Sequence, residues 1–180
     1  MSQSEFHDAF DDEEEEEESS FVREARRLGE GILGSAIRAL EPRKAVTIPE
    51  TTPVRDAMRL MLEREIGAVL VEREGRAVGI FTERDVLRRV VFAGLDHARP
   101  VGEVMTKDPE TLGLDDGIAF ALNKMIVKGY RHVPIVDPEG RPLAVLSLRE
   151  VVSFVVELLP GRVLNLPPEP HMGAHSADGG

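Results

Sequence analysis

The chain contains an internal repeat, and this repeat limits the folds that the sequence can adopt. The segment 69–86 aligns with the segment 134–151 from end to end, without a gap. A repeat unit usually buries its apolar face against its twin, so the duplication predicts two packed copies with two equivalent grooves. The matched pairs are Gly75 and Gly140, Arg76 and Arg141, Thr82 and Ser147, and Asp85 and Glu150.

The net charge of -11 comes almost entirely from one end of the chain. The segment 1–20 holds ten of the 33 acidic side chains, including an unbroken run from Asp11 to Glu18. The rest has 22 basic against 23 acidic side chains, so it lacks the positive field that binds nucleic acid. The run predicts a disordered tail over residues 1–20, serving as a solubility tail, a tether for a basic partner or a loose binder of cations.

Several classes of protein are excluded or disfavoured by what the sequence lacks. There is no cysteine, so neither disulfides nor zinc-thiolate sites can form. No apolar run approaches the ~18–20 residues that span a bilayer, and the acidic N-terminus is unlike a signal peptide. We expect a cytoplasmic protein with no metal site and, because no catalytic constellation is found, no enzymatic activity.

The remaining segments differ in their patterning. Residues 21–43 predict an amphipathic helix and linker that packs on the body of the protein or on a second subunit. Residues 44–99 form the first repeat and residues 100–161 the second, each running strand, helix, strand, strand, helix. The Pro- and Gly-rich residues 162–180 predict a disordered C-terminal tail.

Capping residues and apolar periodicity place the helices. Thr52 is predicted to cap the first helix, with Pro53 at its first position, and Asp115 or Asp116 to cap its counterpart. The apolar faces of these two helices are Val54, Ala57, Met58, Met61 and Leu62, and Ile118, Ala121, Leu122, Met125 and Ile126. The final helices are predicted to bury Val86, Leu87 and Val90, and Val151, Val152, Val155, Val156 and Leu159.

Four stretches of the sequence resemble the CBS domain. They are residues 79–85 (GIFTERD), 131–137 (RHVPIVD) and 100–106 (PVGEVMT), together with the helices that begin near Val54 and Ile118. The pair resembles a small stand-alone tandem CBS (Bateman) module over residues 40–160. This implies an α+β fold of two β-α-β-β-α repeats packed as a pseudo-two-fold pair, flanked by the N-terminal helix and the tails.

The resemblance also implies a ligand. Many CBS pairs bind adenosine compounds such as AMP, ADP, ATP or S-adenosylmethionine between the repeats, without a covalent cofactor. Carried over to this chain, Asp85 and Thr82 would bind the ribose, and Arg131 and His132 the phosphates. The predicted site is Thr82, Asp85, Ile80, Thr111, Leu112, Arg131, His132 and Pro134, of which Thr111, Leu112 and Pro134 border the base.

A purely structural interpretation of these residues remains open. A hydroxyl and a carboxylate three residues apart also form a capping box, which would explain both Thr82 with Asp85 and Ser147 with Glu150. The weaker second site comprises Ser147, Glu150, Thr47 and Ile48. Its glutamate carries the carboxylate one methylene further out, and the counterparts of Arg131 and His132 are Gly67 and Ala68, which cannot contact a phosphate.

Two functions follow. The first is a regulatory module that binds an adenosine ligand, forms a homodimer and signals to a partner protein of unknown identity. The alternative is a ligand-free dimerisation or interaction scaffold that uses its N-terminal helix for docking. A third hypothesis, by similarity to CBS-containing magnesium transport systems, is regulation by cations through the acidic tail.

Overall fold

Two β-sheets, one for each repeat, meet at the centre of the computed structural model, which describes residues 29–158. The first sheet has the order β1-β2-β3-β4, in which β1 is parallel to β2 and the other neighbours are antiparallel. Its strands are β1 (Thr47–Pro49), β2 (Ala68–Arg73), β3 (Arg76–Thr82) and β4 (Thr106–Lys107).

The second sheet repeats this order with shorter edges. Strands β5 (His132–Val136) and β6 (Pro142–Ser147) pair antiparallel. Single bridges add Leu112 parallel to β5 and Lys44 antiparallel to β6. Each sheet therefore has a parallel edge, a central hairpin and an antiparallel edge, as expected for two copies of one unit.

The two repeats exchange their edge segments. Lys44 is the first residue of the first repeat but pairs with Ala144 of the second, where the Ala45 amide also donates to the Leu143 carbonyl (3.0 Å). Conversely, β4 lies in the segment that opens the second repeat but pairs with β3 of the first. Neither sheet is complete without a segment from the other copy, so the repeats form one interlocked unit.

The ungapped alignment of the repeats is wrong in one strand. Val69 pairs with Phe81, and Val133 pairs with Leu146, so the structural counterpart of Val69 is Val133, whereas the ungapped alignment matches Val69 with Pro134. The predicted correspondence of His132 with Ala68 holds, since these residues pair with Ser147 and Thr82. The reason is the hairpin turn. The first turn is a tight one at Glu74 and Gly75, which both have positive φ (53° and 76°), whereas the second hairpin holds one more residue between its matched strand positions.

Helices cover the outer faces of both sheets. The predicted order of elements is confirmed, with α3 continuing directly as a π-helical segment over Val86–Val91. Among the described residues, no helix is both long and apolar enough to cross a membrane. The helices are α1 (residues 29–34), α2 (Val54–Glu63), α3 (Glu83–Asp85), α4 (Ile118–Val127) and α5 (Leu148–Leu158), with 3-10 turns at Ile37–Leu40 and Val101–Glu103.

Both predicted helix caps are wrong. Pro53 is itself the N-cap of α2, because its extended ψ of 140° places it outside the helix, and no side chain caps the helix. Helix α4 begins after Gly117, also without a side-chain cap. The Asp116 carboxylate instead accepts the Gly113 amide (2.7 Å) within the preceding loop, and Asp115 pairs with Arg38.

Each repeat has its own apolar core. Phe81 is fully buried in the first core, and Leu146, at the equivalent position, is fully buried in the second. Ile37 is also fully buried in the second core, so the described part of segment 21–43 packs on the body of the protein. A small cluster of Ala68, Leu70 and Ile80 with Ala45 and Val145 joins the sheets.

The predicted burial fails at equivalent positions in the two repeats. Leu62 and Ile126, near the ends of α2 and α4, are 79% and 75% exposed. Leu87 and Val152, in the helices that follow the hairpins, are 64% and 52% exposed. These side chains face away from the core because the sheet covers only one side of each helix. Leu159 and the two predicted tails lie outside the described residues.

Candidate ligand-binding cleft

A cleft of about 650 Å³ opens between the two repeats. It is lined by the end of β3 and the start of α3 on one side, and by the segment leading into β5 on the other. Thr106 of the exchanged strand β4 also lines it. This volume lies in the range of pockets that bind small molecules.

Asp85 is the one buried charged residue among the described residues, with 7% of its surface exposed. Its Oδ2 atom accepts hydrogen bonds from the backbone amide (3.0 Å) and the hydroxyl (2.7 Å) of Thr82. The Asp85 amide in turn donates to the Thr82 hydroxyl (3.3 Å), which completes a capping box. The capping interpretation therefore accounts for one of the two carboxylate oxygens.

The second oxygen of Asp85 is held more loosely. Its Oδ1 atom lies 3.4 Å from the Thr106 hydroxyl and 3.4 Å from the Arg89 guanidinium, and both of these residues line the cleft. Contacts of this length are weak compared with the shorter bond from the Thr82 hydroxyl to Oδ2. Capping and ligand binding are therefore compatible, since each can use a different oxygen of the same carboxylate.

Arg131 and His132 line the opposite side of the cleft. Arg131 is exposed, and within the described part of the chain its side chain makes no salt bridge. Burial lowers the pKa of the His132 imidazole below its ordinary value of 6.5, and nearby Arg131 lowers it further. The carboxylates of Glu83 and Glu150 oppose this pKa shift only in part, and the pKa stays below its ordinary value because burial is the largest effect.

Acidification is expected to destabilise the folded protein through His132. Its pKa is lower in the folded than in the unfolded chain, so the unfolded chain binds the proton first and the free energy of unfolding decreases as pH falls below about 6.5. His132→Gln should remove this part of the pH dependence in urea unfolding curves. His97→Gln, at an exposed loop position, is the control; the explanation fails if both variants lose the same slope.

Gly67 provides the space that His132 occupies. A Cβ atom at position 67 would lie 3.0 Å from the His132 Cε1 atom and 3.1 Å from Nε2, closer than ordinary contacts. It would also lie 3.3 Å from a carboxylate oxygen of Glu83. The small residue in the first repeat therefore permits the imidazole of the second repeat to reach the cleft.

The structure brings most of the predicted ligand-binding residues together. Thr111 and Leu112 differ from the prediction, since neither lines the cleft. Leu112 bridges to Ile135 and packs against the second core, and the side chain of Thr111 is exposed. The predicted residues that do line the cleft are Ile80, Thr82, Asp85, Arg131, His132 and Pro134.

The predicted second site has a different character. The Glu150 Oε2 atom accepts hydrogen bonds from the Ser147 hydroxyl (2.6 Å) and the Ser147 amide (2.7 Å), which repeats the capping box of the first repeat. The Oε1 atom accepts a hydrogen bond from the Arg43 amide (3.3 Å). Oε1 of Glu150 is therefore held about as loosely as Oδ1 of Asp85. Thr47 is half-buried, and Ile48 is buried in the first core, where a ligand cannot reach its side chain.

Several cleft residues were missed by sequence reasoning. Arg89 donates to the carbonyls of Val104 (2.8 Å) and Met105 (2.7 Å), and so anchors the segment before Thr106. Its place four residues after Asp85 was a usable signal, because such residues share a helix face. The other missed residues have no local pattern; they are Gly67, Glu83, Arg84, Leu87, Arg88, Thr106, Pro109, Glu110 and Tyr130.

The sequence matches the family model of the CBS domain twice, over residues 37–91 and 101–157. These two matches cover more than half of the chain, so the protein belongs to the CBS-domain family and holds a tandem pair of CBS repeats. The predicted membership of the CBS-domain family and the predicted fold class are confirmed.

Relatives and a solved structure agree with this assignment. The chain is 26% identical over 127 residues to an uncharacterized 17.7 kDa protein of Acidianus ambivalens, covering 70% of this chain and 76% of that protein. It is 35% identical over 133 residues to a CBS domain-containing protein of Arabidopsis thaliana, covering 72% of this chain but only 23% of the relative.

A solved CBS domain protein from Pyrobaculum aerophilum, complexed with AMP, shares the fold. It is 27% identical, with a TM-score of 0.63, and the match covers 70% of this chain and 99% of that one.

Proposed function

We propose that this protein is a regulatory, non-catalytic module that binds an adenosine-containing ligand in the cleft and signals to a partner protein. The proposal rests on one observation. The buried Asp85 carboxylate lies on one side of the cleft, and Arg131 and His132 line the opposite side. The AMP complex of the Pyrobaculum relative supports the choice of ligand class.

The cleft offers a different chemistry to each part of such a ligand. The Asp85 Oδ1 atom can accept hydrogen bonds from a ribose diol, while the Thr106 hydroxyl beside it can donate or accept. Arg131 can bind a phosphate through two parallel hydrogen bonds. The side chains of Ile80 and Pro134 form apolar walls for a base. Because Gly67 and Ala68, the counterparts of Arg131 and His132, offer no side chain to a phosphate, we expect one ligand per chain.

Calorimetric titration with AMP and with adenosine tests this function. We expect one site per chain, with AMP bound more tightly than adenosine because the phosphate contacts Arg131. Raising the salt from about 0.05 M to about 0.5 M should weaken AMP binding more than adenosine binding, since screening acts on charged groups. Failure to bind either compound would favour the ligand-free scaffold instead.

We infer further that two copies associate through the exposed apolar side chains. Leu62 and Ile126 occupy equivalent positions in the two repeats, as do Leu87 and Val152, so the exposed set follows the pseudo-two-fold relation of the chain. Exposed apolar side chains at equivalent positions of two repeats suit an isologous contact between two copies of the chain.

Introducing charge on this face should dissociate the dimer. The double variant Leu62→Glu, Ile126→Glu buries a carboxylate at each contact, which we expect to raise the dimer dissociation constant about 100-fold or more. Because both side chains are exposed within one chain, folding should be retained. Sedimentation velocity measures the change against Thr51→Glu, an exposed loop position; an unchanged dimer would place the interface elsewhere.

A further inference from the structure

The cleft carries a small excess of positive charge, since four arginines and three acidic residues line it. Asp85 pairs with Arg89, and Glu110 pairs with Lys124 and Lys128, whereas Glu83 forms no ion pair within residues 29–158 and lies near His132. These contacts leave a surplus of guanidinium groups at the cleft. The four arginines that line it are Arg84, Arg88, Arg89 and Arg131.

Two of these arginines are available to an anion. Arg84 donates to the Gly129 carbonyl (2.9 Å), and Arg89 is held by Asp85 and by backbone carbonyls. The side chains of Arg88 and Arg131 are exposed, and neither has an ion-pair partner among residues 29–158. Among the acidic residues that line the cleft, only Glu83 lacks an ion pair within the described residues, so an anion near Arg88 and Arg131 competes mainly with this one carboxylate.

The chain itself carries a segment of complementary charge. Residues 11–18 are eight consecutive acidic residues, and ten residues separate Glu18 from Gly29, where the described structure begins. No other part of the sequence has a comparable run. Carboxylates form charge-assisted, often bidentate hydrogen bonds with guanidinium groups, so this segment matches the chemistry of Arg88 and Arg131.

The acidic run is close enough along the chain to reach the cleft. The Ser35 carbonyl accepts the Ile118 amide (2.9 Å), which ties the end of α1 to the start of α4. Helix α4 has ten residues, about 15 Å, and the cleft residue Tyr130 follows its far end by three residues. The path from Gly29 also includes about 9 Å along α1 and about 10 Å over the three residues that lead to Tyr130. Ten connecting residues span up to ~33 Å when extended and the eight acidic residues up to ~26 Å more, so the acidic run can reach the cleft.

We propose that the acidic segment of residues 11–18 occupies the arginine side of the cleft and competes with anionic ligands for it. The covalent connection keeps the segment at an effective concentration of the order of millimolar, so even weak docking reduces the apparent affinity for a free ligand. The regulatory part of this inference rests on the proposed adenosine-ligand function, whereas the docking of the segment does not.

Charge reversal in the segment tests the competition. In the full chain, Glu14→Lys, Glu16→Lys and Glu18→Lys should raise the affinity for AMP about threefold or more at about 0.05 M salt. The gain should disappear at about 0.5 M salt, where charges are screened within a few ångströms. The matched control reverses three exposed glutamates of the folded part, namely Glu63, Glu65 and Glu74. An equal gain in both variants would attribute the effect to net charge and overturn the proposal.

A second measurement detects docking without any ligand. The chain has no cysteine, so Ser19→Cys provides a single attachment point for a nitroxide beside the acidic run. The label should broaden the amide resonances of Arg131 and His132 more than that of Glu74, which lies in the hairpin turn before β3, at the opposite end of that strand from the cleft residue Thr82 and about 20 Å from it.

The two measurements separate the possible failures. Equal broadening at Arg131 and Glu74, or broadening at Arg131 that survives the charge reversal, overturns the proposed docking. Selective broadening that is lost on charge reversal supports docking, and an excess of AMP should also remove it. If selective broadening is found but AMP does not bind, docking stands and the adenosine-ligand function fails.

Discussion

Replacing Asp85 with asparagine is expected to weaken AMP binding about 10- to 100-fold while the chain remains folded. A hydrogen bond to a charged group contributes about 1.5–3 kcal/mol, and about 1.4 kcal/mol corresponds to a tenfold change in affinity. Asparagine keeps one acceptor oxygen for the Thr82 amide but removes the negative charge that a ribose diol would contact. Titration calorimetry of the full chain measures the loss.

The repeat supplies a matched control for this substitution. Glu150 forms the same capping box with Ser147, so Glu150→Gln perturbs a helix start in the same way. Each variant should lose about 0.5–2 kcal/mol of stability, the usual value of a cap. Only Asp85→Asn should weaken AMP binding; an equal loss of affinity in both variants would mean that Asp85 acts through the fold alone.

Truncation of Phe81 should produce the largest change in stability. Phe81 is fully buried in the first core and is the residue immediately before Thr82 at the cleft. Phe81→Ala removes most of a large apolar side chain and leaves a cavity, which costs about 3–5 kcal/mol. Chemical denaturation measures the loss, and Thr51→Ala, at an exposed loop position, should change stability by no more than about 0.5 kcal/mol.

The same experiment tests whether the repeats unfold together. Leu146 is the equivalent fully buried residue of the second core, and Leu146→Ala should cost about 2–5 kcal/mol. Because Lys44 and β4 each complete the sheet of the other repeat, we expect one cooperative transition for every variant. A second transition that appears only in Phe81→Ala would show that the repeats are independent domains.

Patterns between residues a few positions apart predicted the local structure most reliably. The capping box of Thr82 and Asp85 involves residues three apart, and it forms as the pattern predicts. The predicted cap at Thr52 fails because Pro53 has an extended ψ of 140° and takes the N-cap position itself. The predicted cap at Asp116 fails because its carboxylate accepts the Gly113 amide within the preceding loop. A capping residue is recognisable in sequence, but its competing partners are not.

Apolar periodicity located the helices more accurately than it predicted their burial. Leu62 and Ile126 fit the apolar faces of their helices, yet both are exposed at the same place in each repeat. Periodicity shows that a helix has an apolar stripe, but not how much of that stripe the sheet covers. The remainder is surface that a second copy of the chain can bury.

The sequence alone determined that there are two copies of one unit, the order of elements in each, and the hydroxyl and carboxylate that start each final helix. These features depend on residues within a few positions of one another. Only the tertiary structure decided that Thr106 meets Asp85, that Arg84 meets Gly129, and that the edge strands are exchanged. These contacts join groups that are far apart along the chain or belong to different repeats, so they form only when packing brings the segments together.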